Sequence, residues 1–339
     1  MQVAQEAIKL FNVQGAIDSI APLGFGHIND SFSVKVNGHG YLLQRLNTNV
    51  FRQPEIIEEN LSRLLSHAPE LFPLHLRGAS GKYHEGKTDN LWRIQEFVQD
   101  SYSPTELTVQ ELSEIAKGYG KFTAAFKNAR PDQYAEGIPG FHNLHHRLNQ
   151  FQQALETNSA ARAESASNEI RAIEEYSWIA DQFDNLVEQG LPLRVCHNDA
   201  KAGNCLLSKK TGEFLKVVDL DTVWSGYALF DLGDMLRSML FNIPEYEVQL
   251  DGLRFDQKRF ETILNSFLAQ CGDALEEIEL KSLPFGGLYM TYMMATRFLT
   301  DYLNGDIYYK TGYPEENLIR TRNQLKILDL TRDFLSPHS

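Results

Sequence analysis

Val195 to Asp221 reads V-C-H-N-D-A-K-A-G-N-C-L-L-S-K-K-T-G-E-F-L-K-V-V-D-L-D. A His-x-Asp, His197 to Asp199, is followed by Asn204 and a short apolar strand. A Lys210-Thr-Gly-Glu213 turn then leads into a second apolar strand that ends on Asp219 and Asp221. Strand, polar loop and strand, with acids at both ends, is the order that phosphoryl transfer from a nucleotide requires. One carboxylate has to accept the proton of an attacking hydroxyl, while an amide and another carboxylate hold Mg²⁺ on the phosphates.

Asp199 is the candidate catalytic base, taking the proton of the acceptor hydroxyl as the phosphoryl group departs. Asn204 and Asp219 are the candidate metal ligands, because Mg²⁺ prefers hard oxygen donors and keeps several waters. Lys201 is placed to reach the transferred phosphate as a point charge. Asp221 reads either as an acid behind the metal or as a substrate contact. His197 reads as a loop-orienting hydrogen-bonding residue rather than an acid or base. Asp231 and Asp234, in Phe230-Asp-Leu-Gly-Asp-Met-Leu-Arg237, open a helix, and Asp231 is expected to brace the catalytic loop.

Working outward, the first hundred residues carry strand signals at Ile17 to Leu23, Asp30 to Val36 and Tyr41 to Leu46, with glycine-containing turns between them. A helix is predicted after Pro54, with Ile56, Ile57, Leu61, Leu64 and Leu65 at helical spacing. Leu74 to Leu76 and Leu91 to Val98 complete a five-strand sheet. Gly24-Phe25-Gly26-His27-Ile28-Asn29 lies where a loop covering a nucleotide would sit, so Gly24 and Gly26 are candidate nucleotide contacts. On the next strand, Gln44 or Arg45 stands where a phosphate-binding lysine is expected. Arg45 could supply the charge, paired with Glu58 or Glu59, but strand alternation lets only one of Gln44 and Arg45 face the cleft. Glu96 to Val98 would offer backbone groups to adenine.

Beyond Asp100 the periodicity becomes helical: Thr108 to Phe126, Phe141 to Leu155, Asn168 to Glu188, Phe230 to Phe241, Phe255 to Gln270, Leu288 to Leu303 and Glu315 to Phe334. The expected organisation is an N-lobe over residues 1–97, a nucleotide-covering sheet with one helix, and a helical C-lobe over residues 98–339 with the catalytic loop and substrate pocket. The fold class is α+β, a two-lobed protein-kinase-like architecture with a small β-rich N-lobe and a larger, mainly helical C-lobe. His142, His145 and His146 are read as sharing one polar helical face, with no neighbouring acid or Cys to complete a metal site.

The 339 residues carry a formal charge of −13. An acidic surface argues against a nucleic-acid or anionic-membrane partner, and requires a nucleotide to be held by a few placed cations and Mg²⁺. Three cysteines, Cys196, Cys205 and Cys271, form no disulfide framework and suit a reducing cytoplasm. Met1 to Val13 lacks a basic segment followed by an apolar core, so no signal peptide is read. Leu283 to Thr296 is shorter than the ~20 apolar residues of a spanning helix and is expected as a buried helix.

His197-Asn-Asp-Ala-Lys-Ala-Gly-Asn204 with Val217-Val-Asp-Leu-Asp221 resembles the aminoglycoside phosphotransferase and choline kinase superfamily over nearly the whole chain. Further segments narrow the resemblance: Gly26-His-Ile-Asn-Asp30, Leu43-Gln-Arg-Leu-Asn47, Asn49-Val-Phe51, Ile138-Pro-Gly-Phe-His142, Asp219-Leu-Asp-Thr-Val223 and Arg297-Phe-Leu-Thr-Asp-Tyr-Leu-Asn-Gly-Asp306. Together they look like the bacterial N-acetylhexosamine 1-kinases, which phosphorylate the anomeric hydroxyl of N-acetylglucosamine and N-acetylgalactosamine. The resemblance implies ATP as donor, Mg²⁺, a small-molecule sugar as acceptor, and His27, Trp224 and Arg297 as sugar contacts. An indole such as that of Trp224 suits the apolar face of a pyranose. Arg297 has a structural competitor, an i,i+4 ion pair with Asp301. Tyr308 and Tyr309 are candidates to close the pocket, in an order the chain does not decide. The rival readings are a kinase for another small alcohol, and a nucleotide-binding protein without catalysis, whose only support is the missing strand lysine.

Overall fold

The computed structural model describes residues 2–24, 29–87, 89–241 and 243–336. Gly26 and His27 lie outside them. The small lobe is an antiparallel sheet of β1 (Ile17–Leu23), β2 (Asp30–Val36), β3 (His39–Arg45), β4 (His75–Leu76), β5 (Glu85–Lys87) and β6 (Asn90–Glu96). The strand order is β1-β2-β3-β6-β4, with β5 also on β6. The sheet therefore has six strands rather than the five expected, because the short β5 hairpins onto β6.

Strand alternation divides this sheet sharply. Val34, Val36, Leu43, Trp92 and Ile94 face outward into a core with Ala4, Ala7, Ile8 and Phe11. Those four residues come from helix α1 (Gln2–Ile8) and the turn after it, and their i, i+3, i+4, i+7 spacing is the apolar stripe of a covering helix. The strand periodicity that follows masks this short helix in the sequence. The opposite face of the sheet, carrying Gln44, Arg93 and Gln95, turns toward the large lobe. Helix α2 (Pro54–His67) joins the two, with Leu61 and Leu64 packed into the large-lobe core.

The large lobe begins with β7 (Ser101–Tyr102), then α3 (Val109–Ala125), α4 (Leu144–Thr157), α5 (Ser167–Glu175) and α6 (Trp178–Glu188). Thr108 and Glu111 cap α3 reciprocally. The helix expected over Asn168 to Glu188 is broken at Tyr176 and Ser177. Tyr176 there turns into the core, and its hydroxyl donates to Asp329. The catalytic segment follows as β8 (Arg194–Cys196), β9 (Cys205–Ser208), β10 (Phe214–Val217) and β11 (Trp224–Gly226), then α7 (Ala228–Met239), α8 (Gln257–Cys271), α9 (Glu277–Ser282), α10 (Phe285–Leu303) and α11 (Glu316–Leu335).

Helix α10 is the buried axis of the lobe. It crosses α7 so closely that a Cβ on Gly233 would sit 2.2 Å from the Gly286 carbonyl oxygen, and one on Gly286 2.1 Å from that of Leu229. Only hydrogen side chains permit this crossing, which fixes α7 and hence Asp231 against the helix that carries Arg297. No helix among the described residues is long and apolar enough to cross a membrane. Cys196, Cys205 and Cys271 are buried, free thiols.

Candidate active site

The loop between β8 and β9 is built on Asp231. The backbone N–H groups of His197 and Asn198 donate to its two carboxylate oxygens at 2.8 Å each. Burial pushes the Asp231 carboxyl up to about 7, against the pull of those two amides. Asn198 adopts a left-handed conformation, φ 61°, which asparagine tolerates. Its side-chain amide donates to the carbonyls of Cys196 and Thr222 at 3.1 and 3.0 Å, tying the loop to the turn before β11. His197 is buried and its Nε2 lies 3.0 Å from the Val218 carbonyl. Desolvation lowers its pKa, so it is a neutral architectural residue. The Tyr119 hydroxyl donates to the Lys201 carbonyl at 2.8 Å.

Asp199 emerges from this frame half-buried. Lys201 Nζ lies 2.8 Å from Asp199 Oδ2, and Asn204 Nδ2 donates to the same oxygen at 2.8 Å. Burial alone would raise the Asp199 carboxyl, but the Lys201 ammonium and the Asn204 amide outweigh it and hold the pKa below the ordinary value. Lys201 shifts up by the same pairing, against its own burial. Both groups are therefore charged at neutral pH.

Asp219 is different. It sits at φ 61° after β10 and its side chain opens to the cleft. No hydrogen bond from a described residue reaches its carboxylate. The low-dielectric walls of the cleft, then the Asp221 and Asp199 carboxylates, push it up to about 6. Asn204 spends its Nδ2 on Asp199, and no described residue donates to its amide oxygen. One free carboxylate and one free amide oxygen, on loops held by neighbouring hydrogen bonds, are donors of the kind Mg²⁺ takes.

Asp221 is neither open nor free. It is 2% exposed and accepts a two-pronged ion pair from Arg93 of β6, with Arg93 NH2 3.0 Å from Oδ2. Asn29 Nδ2 donates to Oδ2 at 2.6 Å, while Asn29 Oδ1 accepts the N–H of Asn47 at 2.9 Å. Burial would raise this acid too, but the Arg93 charge prevails and lowers it. Arg93 is absent from the sequence-based candidates. Its signal is a charge set between the apolar Trp92 and Ile94 at the centre of the strand.

Alternation resolves the Gln44 and Arg45 question against Arg45. Gln44 points toward the cleft face and its Oε1 accepts from Arg93 Nε at 3.0 Å. Arg45 points to the outer face, over the Trp92 ring, and pairs with Asp30 at the solvent. The expected partners are engaged elsewhere: Glu58 with His84 at 2.7 Å and Glu59 with Arg63. Gly24 ends β1 with open space around it. Glu96 closes β6 with its N–H donating to the Leu74 carbonyl at 2.8 Å. Val98 accepts from Ser101 Oγ at 2.6 Å, and no described residue engages its N–H.

Between α4, α10 and the loop after α10, a cavity of about 460 Å³ is lined by Arg147, Gln150, Arg297, Asp301, Tyr308 and Tyr309, among others. Arg297 CZ lies 5.1 Å from the Phe141 ring centroid and 5.7 Å from that of Tyr309. Its only polar contact among the described residues is Met294 Sδ at 3.6 Å. Tyr309 turns inward, its hydroxyl buried without a partner, while Tyr308 stands at the exposed rim. Burial, then the Arg297 charge, lowers Arg147 to about 10. Trp224 does not offer its indole to a ligand. At 2% exposure it packs edge-on behind Phe141, because β11 pairs with β8 inside the core.

His142 also departs from the surface reading. It precedes α4, is 7% exposed, and is driven down to about 3 by burial and then by the Arg297 charge. His145 alone pairs outward, with Asp184 at 2.6 Å.

The two-lobed kinase-like fold brings a carboxylate, an ammonium and two further oxygen donors to the cleft. Residues 19–262 match the APH phosphotransferase enzyme family, and the chain belongs to it. It is therefore a phosphotransferase. Among solved structures it is similar to a microcompartment-associated aminopropanol kinase, at 15% identity and TM-score 0.63, over 98% of this chain and 97% of that one. It is similar to a choline kinase from Streptococcus pneumoniae, at 12% identity and TM-score 0.59, over 97% and 98%. It also resembles spectinomycin phosphotransferase in complex with ADP and spectinomycin, at 11% identity and TM-score 0.56, over 99% and 94%.

Proposed function

We propose that the chain transfers the γ-phosphoryl group of ATP to the anomeric hydroxyl of an N-acetylhexosamine, giving the sugar 1-phosphate. The observation that carries this reading is Arg297, a guanidinium lining the cavity between α4 and α10 that no carboxylate pairs with among the described residues. Aminopropanol, choline and aminoglycosides bring a cationic nitrogen, which Arg297 and Arg147 would repel in a partly desolvated cavity. A neutral acetamido sugar brings a carbonyl oxygen and several hydroxyls that accept from a planar array of donors.

In this reading Asp199 accepts the hydroxyl proton and Lys201 serves the phosphates. In the free protein the Lys201 ammonium is held on Asp199, so incoming phosphates compete for it and release the base. Asn204 and Asp219 would hold Mg²⁺, which supplies charge neutralisation on the phosphate oxygens. The ADP of the spectinomycin phosphotransferase complex supports a nucleotide donor. The free N–H of Val98 supports adenine at the connection between lobes 1–97 and 98–339.

The test is ATP turnover with Mg²⁺ against a panel of N-acetylglucosamine, N-acetylgalactosamine, glucose, choline, aminopropanol and an aminoglycoside. Turnover confined to the acetamido sugars, with a phosphorus resonance coupled to the anomeric proton, is expected. Preferential turnover of an amine, or a 6-phosphate product, would overturn the acceptor assignment.

A further inference from the structure

The small lobe lacks the strand lysine that phosphates would be expected to meet, yet it buries a cation one strand away. Gln44 of β3 and Arg93 of β6 are directly opposed in the ladder, and their side chains are bonded at 3.0 Å. We propose that Arg93, in place of the strand lysine, positions the nucleotide phosphate site from the small lobe by acting through Asp221.

Three observations converge on it. Arg93 is 3% exposed and its fork meets both oxygens of Asp221, the acid two residues beyond the free carboxylate of Asp219. The bond crosses between the lobes, so the pair sets how the sheet sits over the catalytic loop. Asp221 also holds Asn29, which stands at the end of the hairpin between β1 and β2 and in turn holds the N–H of Asn47. One buried ion pair thus ties Asn29 ahead of β2, the central strand and the metal-side loop together. A helix acid would ordinarily be the partner of the strand cation. Here that acid, Glu58, is taken by the N–H groups of Tyr83 and His84 and by the His84 ring. In this chain the cation–acid pair lies instead between strand and loop.

The bidentate geometry explains why the cation here is an arginine. A guanidinium serves two carboxylate oxygens and the Gln44 amide oxygen at once, which an ammonium cannot do with the same fixed directions. A buried carboxylate left without its cation is costly, so losing Arg93 releases Asp221 and, with it, Asn29 and the loop of Asp219.

The inference rests on nucleotide being the phosphoryl donor and not on which acceptor is used, so the test is MgADP binding by calorimetry. Wild-type protein that fails to bind MgADP would overturn the donor assignment itself. With binding present in the wild type, Arg93→Gln is expected to weaken it by about tenfold or more, more than Arg45→Ala does. Placing an ammonium opposite the lost arginine, in the double variant Arg93→Gln/Gln44→Lys, is expected to recover most of that affinity. Arg93→Lys keeps the charge but not the fork, so it stays folded with intermediate affinity. The proposal is overturned if Arg93→Gln loses thermal stability alone, if Arg45→Ala gives the larger loss, if the double variant recovers stability without affinity, or if Arg93→Lys binds as wild type.

Discussion

Arg297 and Asp301 stand one turn apart on α10 and do not pair. Asp301 turns the other way and accepts the N–H groups of Ile307, Tyr308 and Tyr309 at 3.0, 2.8 and 3.0 Å, together with Asn317 Nδ2 at 2.9 Å. The ion pair that i,i+4 spacing allows is displaced by a carboxylate nest that shapes the loop after the helix. Arg297 is left among Phe141, Tyr308 and Tyr309, with Met294 Sδ its only polar contact among the described residues.

Arg297→Ala is therefore expected to act on the acceptor and not on the fold. A lost hydrogen bond to a charged donor costs ~1.5–3 kcal/mol, or roughly ten- to a hundredfold in affinity. The acceptor KM should rise by that factor, with ATP KM and the thermal midpoint little moved. Unchanged acceptor kinetics would remove Arg297 from the pocket's function.

Asp301→Ala should behave differently. It strips the acceptor from three backbone N–H groups and a buried amide, at a cost of roughly 2–4 kcal/mol of stability. The loop carrying Tyr308 and Tyr309 loosens with it, so stability and acceptor KM both suffer. Matching profiles for Arg297→Ala and Asp301→Ala, with equal stability losses, would restore the salt-bridge reading.

Asp199→Asn is nearly isosteric and retains an acceptor oxygen for Asn204 Nδ2. It is expected to fold and bind MgADP while losing about 10²–10⁴-fold in kcat, the usual effect of removing a general base. A kcat within a few-fold of wild type would take Asp199 out of the proton transfer.

His142 makes the stability pH-dependent. Burial and the nearby Arg297 charge hold its folded-state pKa at about 3, while in the unfolded chain it titrates near ~6.5. Between those values the unfolded state binds a proton that the folded state refuses, so stability rises with pH and is lost as pH falls below ~6.5. His75, also lowered to about 3 by burial and then by Arg93, adds a term of the same sign. His142→Gln should reduce the stability difference between pH 7 and pH 5 by up to ~2 kcal/mol, measured by urea denaturation at both values. An unaltered difference would mean that His142 accepts its proton in the folded state.

Much of the site can be read from residue order because its chemistry is local. Asp199, Lys201 and Asn204 lie on one loop whose bonds span a few residues, and the Gly-punctuated strands of the small lobe carry their own period. The brace by Asp231 was also legible, since an acid opening a helix straight after a strand has few other uses. The apolar stripe of α1 is not legible in the sequence, because seven helical residues give too short a period to stand out.

Other features depend on contacts between residues far apart in the chain. Arg93 meets Asp221 across 128 positions, and Gln44 across 49. Neither neighbour can be inferred from spacing, because the β-ladder register and the docking of one lobe on the other create both. The same holds where burial decides. Trp224 and His142 have the composition of a ligand platform and a surface histidine, but β11 pairing and the packing before α4 draw both inside. What the sequence by itself determined was the chemistry of each loop and the period of each element. Tertiary structure alone chose which face of β3 meets the cleft and which carboxylates are paired, since long-range packing sets the dielectric and the neighbours that decide whether a charge is spent or free.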